Sequence, residues 1–161
     1  AGLPFLQGRI PPAGRKSEEE LKEIIDYAKA PFIVKGIMSV EGAQKAINAG
    51  AKGIVVSNHG GRVLDGTPAT AAVLEEIADK FKGQVKIFVD GGIRSGLDVF
   101  KALALGADAV IIARPFVNMI YGAGKEGVEA YVQHLGQELE NVMMMAGVSS
   151  LKEVSKKNIY K

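Results

Sequence analysis

Apolar residues in this chain fall into two alternating patterns. In short blocks nearly every position is apolar: Pro31-Phe32-Ile33-Val34, Ile54-Val55-Val56, Val85-Lys86-Ile87-Phe88-Val89 and Ala109-Val110-Ile111-Ile112-Ala113. Between these blocks apolar residues recur every three or four positions. The first pattern predicts strands buried on both faces, the second amphipathic helices. Ser17-Glu18-Glu19-Glu20 forms a capping box ahead of Leu21, Ile24, Ile25 and Ala28, which predicts a helix. A strand over 31–36 and a helix from Ser39 to about Ala49, closed by Gly50, come next. Then follow a strand over 54–57, a helix over 70–81 turning Val73, Leu74, Ile77 and Phe81 inward, and a strand over 85–90. Ser95-Gly96-Leu97-Asp98 caps a helix closed at Gly106, after which come a strand over 109–113 and a long helix from about Gly127 to Ala146. Residues 1–16, with three prolines and three glycines, read as an irregular lead-in.

Four strand–helix units in succession predict an α/β fold, a parallel sheet covered by helices. Gly36–Ser57 can be laid on Gly92–Ala113 at a constant offset of 56, with identities at Gly36/Gly92, Ile37/Ile93, Ser39/Ser95, Lys45/Lys101, Ala46/Ala102, Gly50/Gly106 and Ala51/Ala107. A two-unit repeat suits an eight-stranded barrel, whose interior layers draw on alternate strands. A complete barrel of that kind needs about 250 residues. The 161 residues are therefore expected to form a single domain, half of a TIM (β/α)8 barrel.

Composition narrows the function classes. A net charge of +2, with basic residues interspersed among acids, gives no footprint for nucleic acid. There is no cysteine, hence no disulfide framework and no thiolate metal site, which fits a reducing cytoplasm. No apolar run approaches the roughly 18 residues of a membrane span. Ala1-Gly2-Leu3-Pro4-Phe5 has no signal-peptide pattern, and the absence of an initiating Met suggests a processed or truncated chain.

Each predicted strand ends in something polar: Lys35, then Ser57 to Arg62, then Asp90 to Arg94, then Arg114. In a parallel barrel these ends open on one face, where catalysis sits. Ser57-Asn58-His59-Gly60-Gly61-Arg62 places an imidazole three residues from a guanidinium, a base and an anion clamp suited to a small carboxylic acid. The bland alternative is a surface turn. Asp90-Gly91-Gly92-Ile93-Arg94-Ser95 reads as a phosphate cradle, with glycines for close backbone approach and N–H groups at the start of the next helix aimed at the anion. Arg94 and Arg114 would grip phosphate oxygens. Lys35 either stabilises negative charge developing on a ring or enolate, or snorkels to solvent. Met143-Met144-Met145 reads as core or helix-packing surface with Val128, Tyr131, Val132, Leu135, Leu139 and Val142. His134 reads as a surface or packing residue, and Lys152 to Lys161 as a solvated tail. Neither metal-ligand spacing nor a Gly-x-Gly-x-x-Gly loop is present.

These motifs resemble the FMN-dependent α-hydroxy acid oxidase and dehydrogenase family, which includes lactate oxidase and glycolate oxidase. The resemblance runs from about Ser17 to Ile159 and rests on Val34-Lys35-Gly36, on Ser57 to Arg62 with Leu64-Asp65, on Pro68-Ala69-Thr70, on Asp90 to Arg94, and on Ala113-Arg114-Pro115. The phosphate cradle is shared with other phosphate barrels; the His-Gly-Gly-Arg segment selects this family. The resemblance implies the C-terminal half of the barrel, with His59 as the base and Arg62 on the substrate carboxylate. It implies Lys35 beside the flavin N1/O2 edge and Ser57 against the flavin or its ribityl chain. His59 would also border the flavin, and Asp90, Gly91, Gly92, Ile93, Arg94, Ala113 and Arg114 would hold ribityl and phosphate. Family members carry Gly where Ala113 stands. The family's N-terminal half supplies substrate-facing tyrosines and the carboxylate that orients the histidine, and none of Tyr27, Tyr121, Tyr131 and Tyr160 falls at a strand end.

Three readings follow. In the first, the chain is the half-barrel of a cytoplasmic FMN enzyme that oxidises a small, lactate-like 2-hydroxy acid to the 2-oxo acid. It would act with its missing N-terminal half or a second copy, and an open four-stranded sheet favours homo-oligomers. In the second, the half-barrel binds FMN or another phosphoester without turnover and self-associates. The third is a different barrel enzyme, a phosphosugar isomerase or epimerase, against which His59 and Arg62 argue.

Overall fold

The computed structural model describes residues 14 and 16–159, so the irregular lead-in lies almost wholly outside the described residues. The elements run α1 (Glu18–Ala28), β1 (Ile33–Ile37), α2 (Val40–Asn48), β2 (Gly53–Val56), α3 (Thr70–Phe81), β3 (Lys86–Val89), α4 (Gly96–Ala104), β4 (Ala109–Val110) and α5 (Arg114–Met145). The strands form one sheet in the order β1-β2-β3-β4, every pair parallel. This is the predicted α/β arrangement of four successive βα units.

Local chemistry explains where the helices start. The Ser17 hydroxyl accepts from Glu20 N at 3.1 Å while the Glu20 carboxylate accepts from Ser17 N at 2.8 Å, a complete capping box. Ser39 and Ser95, one repeat apart, cap α2 and α4 through Gly42 N and Asp98 N. The repeat is structural: α2 and α4 begin and end 56 positions apart. Both are followed by a glycine in the left-handed region, Gly50 at φ 101° and Gly106 at φ 107°.

Alternation along the strands sorts their two faces. Ile54, Val56, Ile87 and Val89 point toward the helices and join Ala43, Ala46, Leu74, Ile77 and Phe81 in the core. Each large side chain there contributes about 1.5–3 kcal/mol by leaving water. On the other face Ile33 and Phe88 close over Gly53, where a Cβ would stand 3.1 and 3.2 Å from their carbons. Lys35, Ser57 and Asp90 follow on that face, toward the C-terminal end of the sheet.

Four expectations change. β4 pairs for only two residues, Ala109 and Val110, and the chain leaves the ladder over 111–113 before α5, although Ile111 N still donates to the Val89 carbonyl at 2.8 Å. α5 begins at Arg114 rather than near 127, with Pro115 in its first turn, a position that suits proline's fixed φ and missing N–H. It breaks at Ala123 and Gly124, which leave helical geometry, into two arms, the second matching the predicted helix. Met144 and Met145 are 74% and 91% exposed, and Val132 is exposed as well, so the packed face of the second arm is narrower than expected. The final segment is held rather than solvated: a 3-10 turn over Lys156–Asn158 follows Ser155, and Lys156 forms ion pairs with Glu75 and Asp79 of α3.

Candidate active site

The floor of the site is built from the ends of β1, β2 and β3. Lys35 Nζ donates to Ser57 Oγ at 2.6 Å and to Asp90 Oδ2 at 2.5 Å. Ser57, only 1% exposed, also accepts from His59 N at 3.1 Å, so one hydroxyl ties the lysine to the following loop. Thr70 Oγ1 donates to the Asp90 carbonyl at 2.6 Å and pins the third strand end from α3. Asp90 Oδ1 is buried and has no hydrogen-bond partner among the described residues. A buried oxygen left in that state costs on the order of 1–3 kcal/mol and calls for a donor.

The loop after β2 carries the imidazole. His59 sits at φ 56°, in the left-handed region that a non-glycine residue rarely adopts and that functional sites often hold. Asn58 supports it on both sides: Oδ1 accepts from Gly60 N at 3.0 Å, and Nδ2 donates to the Pro68 carbonyl at 3.2 Å. The register of β1 against β2 slips between Lys35 and Ile37, and Gly36 at that bulge has φ 99°. A Cβ there would lie 3.0 Å from His59 Cε1, so the imidazole lies against bare backbone. No carboxylate among the described residues pairs with His59.

The anion-holding arms differ from expectation in one respect. The N–H groups at the start of α4 are engaged by side chains and do not face a ligand. Arg94 N and Ser95 N donate to Asp98 Oδ2 at 3.0 and 3.1 Å, and Gly96 N donates to Glu138 Oε2 at 2.7 Å. The start of α5 is different: its N-cap, Ala113, makes no side-chain capping bond. The positive end of that helix is therefore not taken up by a capping side chain and can face an anion. Ala113 stands at φ −121°, outside the left-handed region that favours glycine. Arg114 extends from this end over the loop after β2, its Nη2 standing 3.0 Å from where a Gly60 Cβ would be.

These parts meet in one open pocket of about 350 Å³, within the usual range for ligand sites. It is bordered by Lys35, His59 and Arg62, by Asp90 through Arg94, and by Ile111 through Pro115. Of the residues singled out from sequence, only Ser57 stays off its surface, beneath Lys35. Asn58 and Thr70 escaped sequence reasoning as site residues, although each lies within a quoted motif, Ser57 to Arg62 and Pro68-Ala69-Thr70. Among the described residues Asp90 is the single carboxylate on the wall, against Lys35, Arg62, Arg94 and Arg114, so the wall they form carries an excess of positive charge.

The donor set suits a hydroxylated phosphoester. Gly91 and Gly92 both take positive φ, and nothing lies within 4 Å of a Cβ built on Gly92, which leaves bare backbone facing open space. The unsatisfied Asp90 oxygen can accept a hydroxyl, and the two arginines and the uncapped α5 start can hold phosphate. These residues fit FMN.

Comparison with known proteins agrees. The profile of a family described as FMN-dependent dehydrogenase matches residues 9–161. A peroxisomal (S)-2-hydroxyacid oxidase of Arabidopsis thaliana is 43% identical over 143 residues, 89% of this chain and 39% of that protein. An L-lactate oxidase of Lentilactobacillus hilgardii is 47% identical over 142 residues, 88% of this chain and 38% of that protein. Among solved structures, a mandelate oxidase variant with (S)-mandelic acid superposes with a TM-score of 0.83 at 42% identity, covering 88% of this chain and 42% of that one. The chain thus spans about two fifths of the length of these relatives.

Proposed function

The chain belongs to the FMN-dependent dehydrogenase family, and on that premise we propose that it carries the phosphate site, the base and the carboxylate clamp of an enzyme that oxidises a small 2-hydroxy acid to the 2-oxo acid. The observation that carries this reading is the common pocket: His59 and Arg62 border the same opening as Arg94 and Arg114. An imidazole and a guanidinium therefore face a phosphate-anchored ligand from one rim.

Each residue has a role in this reading. Arg62 holds the substrate carboxylate through its planar fork. A ring nitrogen of His59 takes a proton from the substrate, which suits imidazole near neutral pH. Asp90 accepts ribityl hydroxyls with its free oxygen, and the backbone of Gly91, Gly92 and Ile93 lies along the chain. Arg94, Arg114 and the backbone of Ala113 neutralise the phosphate. Lys35, steadied by Ser57, places positive charge at the flavin N1/O2 edge. When bound, FMN accepts the two electrons lost by the substrate. His59 has no carboxylate to orient it among the described residues, so the orienting group comes from outside the described chain, from an N-terminal half-barrel or a second copy. Cytoplasmic residence and homo-oligomerisation complete the reading. The cysteine-free composition supports the first and the open sheet edge at β4 the second. The peroxisomal Arabidopsis relative makes fractionation the test of the first; light scattering tests the second.

The purified full-length protein is expected to be yellow and to be bleached anaerobically by an L-2-hydroxy acid such as lactate. His59→Gln should keep the colour and lose the bleaching. A colourless protein indifferent to hydroxy acids would overturn the proposal.

A further inference from the structure

Tyr131 lies outside the pocket yet touches both arms that carry its arginines. Its Oη donates to the Arg94 carbonyl at 2.8 Å. Its ring meets Phe116 edge-on, with centroids 5.1 Å apart and planes at 75°. Phe116 stands in the first turn of α5, two residues after Arg114. One side chain on the second arm of α5 thus holds the peptide from which Arg94 springs and the turn from which Arg114 springs.

The base under Tyr131 is rigid. Two turns further along the same helix, Glu138 accepts from Gly96 N at 2.7 Å. The backbones approach so closely that a Cβ on Gly96 would stand 2.3 Å from Leu139 N. The start of α4 therefore cannot slide relative to α5, and the tyrosine carries this fixed line forward to Arg94. Burial raises the phenol above its ordinary value, Glu138 and Asp98 push the same way, and Arg94 opposes them. The hydroxyl stays protonated, and remains a donor, across the working pH range.

We propose that Tyr131 is a positioning residue for phosphate recognition, setting the separation of Arg94 and Arg114 so that both guanidinium groups close on one phosphoester. The inference rests on the reading that the pocket takes FMN. It goes further by assigning phosphate selectivity to a residue on no strand end. Bringing two arginines onto one ligand costs backbone as well as side-chain freedom, and holding the backbone of both in place in advance removes the backbone share of that cost.

The test is Tyr131→Phe, which keeps the ring on Phe116 and removes only the donor. FMN and riboflavin, which lacks the phosphate, are titrated into the full-length wild-type and variant proteins with flavin fluorescence as the readout. FMN affinity should fall about three- to tenfold, the range for one lost hydrogen bond, while riboflavin affinity stays unchanged. Phe116→Leu, which loosens the other contact, should shift the same ratio in the same direction. An unchanged FMN-to-riboflavin ratio, or an equal loss for both ligands, overturns the proposal and leaves Tyr131 a packing residue. If the wild type binds neither flavin, the FMN reading falls, and stabilisation by inorganic phosphate decides the point. A smaller thermal shift in Tyr131→Phe supports the positioning role, and equal or absent shifts overturn it.

Discussion

Gly36→Ala tests the geometry that brings the imidazole to its place. Two costs arise at this position. Gly36 has φ 99°, and an L side chain in the left-handed half of the map costs about 1–2 kcal/mol. The new methyl would also lie 3.0 Å from His59 Cε1, well inside the separation of about 3.5–4.0 Å at which carbon atoms attract. Overpacking of this kind costs about 1–3 kcal/mol. Together they amount to about 3 kcal/mol, which for a protein of this size lowers the melting temperature by about 6–12 °C. Gly83→Ala is the control, because Gly83 has φ 89° with nothing within 4 Å of its Cβ position and so carries the backbone cost alone. Thermal and urea unfolding followed by circular dichroism should show Gly36→Ala costing more than Gly83→Ala. The excess should vanish when both are made in a His59→Ala background, a double-mutant cycle across the contact. Equal costs at the two glycines, or an excess that survives removal of the imidazole, would refute the packing described above. In flavin-loaded protein the displaced ring should lower the rate of reduction more than it raises the apparent KM.

Three further predictions concern side chains that hold loops and strands in place. Asn58→Ala leaves Gly60 N without its acceptor and releases the Pro68 carbonyl, and should lower unfolding stability by about 1–3 kcal/mol. Asn58→Asp keeps the acceptor, loses the donor and should fall between. Asp108→Ala removes the carboxylate that accepts from Ile87 N at 2.8 Å, and should lower the urea midpoint by an amount equivalent to about 1–2 kcal/mol with an unchanged m-value. Lys156→Met should release the final segment from α3 and speed its proteolysis, an effect that added salt imitates in the wild type. The hydrogen bond to Asp79 raises the Lys156 pKa above 10.5. This stabilisation is therefore fully present below that value and is lost as pH climbs through the higher folded-state value, so proteolysis of the segment should accelerate only in strongly alkaline solution.

Much of this architecture was legible because its determinants are local. Ser17, Ser39 and Ser95 cap helices through residues three positions away, and strand register follows from alternation over four or five residues. The shared rim was legible for a topological reason: in a parallel sheet every strand end points the same way, so Lys35, His59, Asp90 and Arg114 converge once the four units are recognised. What escaped depends on partners distant in sequence. The start of α4 looked available to phosphate, yet Gly96 N is taken by Glu138, 42 positions away. Tyr131 reads as one more apolar position on a helix until its hydroxyl is seen on the Arg94 carbonyl. The first arm of α5 was hidden because the apolar run before Arg114 continues past the point where pairing with β3 stops; Pro115, a helix-start signal, was the available cue. The final lysine-rich segment looked solvated because ion pairing with Glu75 and Asp79 leaves no periodic trace.

The pocket makes three separate chemical demands, and together they narrow what can occupy it. Arg62, Arg94 and Arg114 form no ion pair among the described residues, since the wall's only carboxylate is already bound to Lys35. Any small anion could answer that. The second demand is the buried Asp90 Oδ1, which needs a donor. The hydroxyls of inorganic phosphate sit on the same phosphorus that the arginines would hold, whereas a polyol phosphate brings further hydroxyls at a distance from its charge. The third is an imidazole held at a strained backbone angle, on one pocket wall with the Arg62 guanidinium and without a carboxylate partner among the described residues. Neither phosphate nor polyol calls for a base placed at such cost to the backbone. It fits the second, smaller ligand proposed above, with an acidic head for Arg62 and a proton for His59. The proposed pair, a phosphorylated polyol bearing the reactive group with a small hydroxy acid beside it, meets all three demands. A lone phosphosugar or a passive anion leaves at least one of them unanswered.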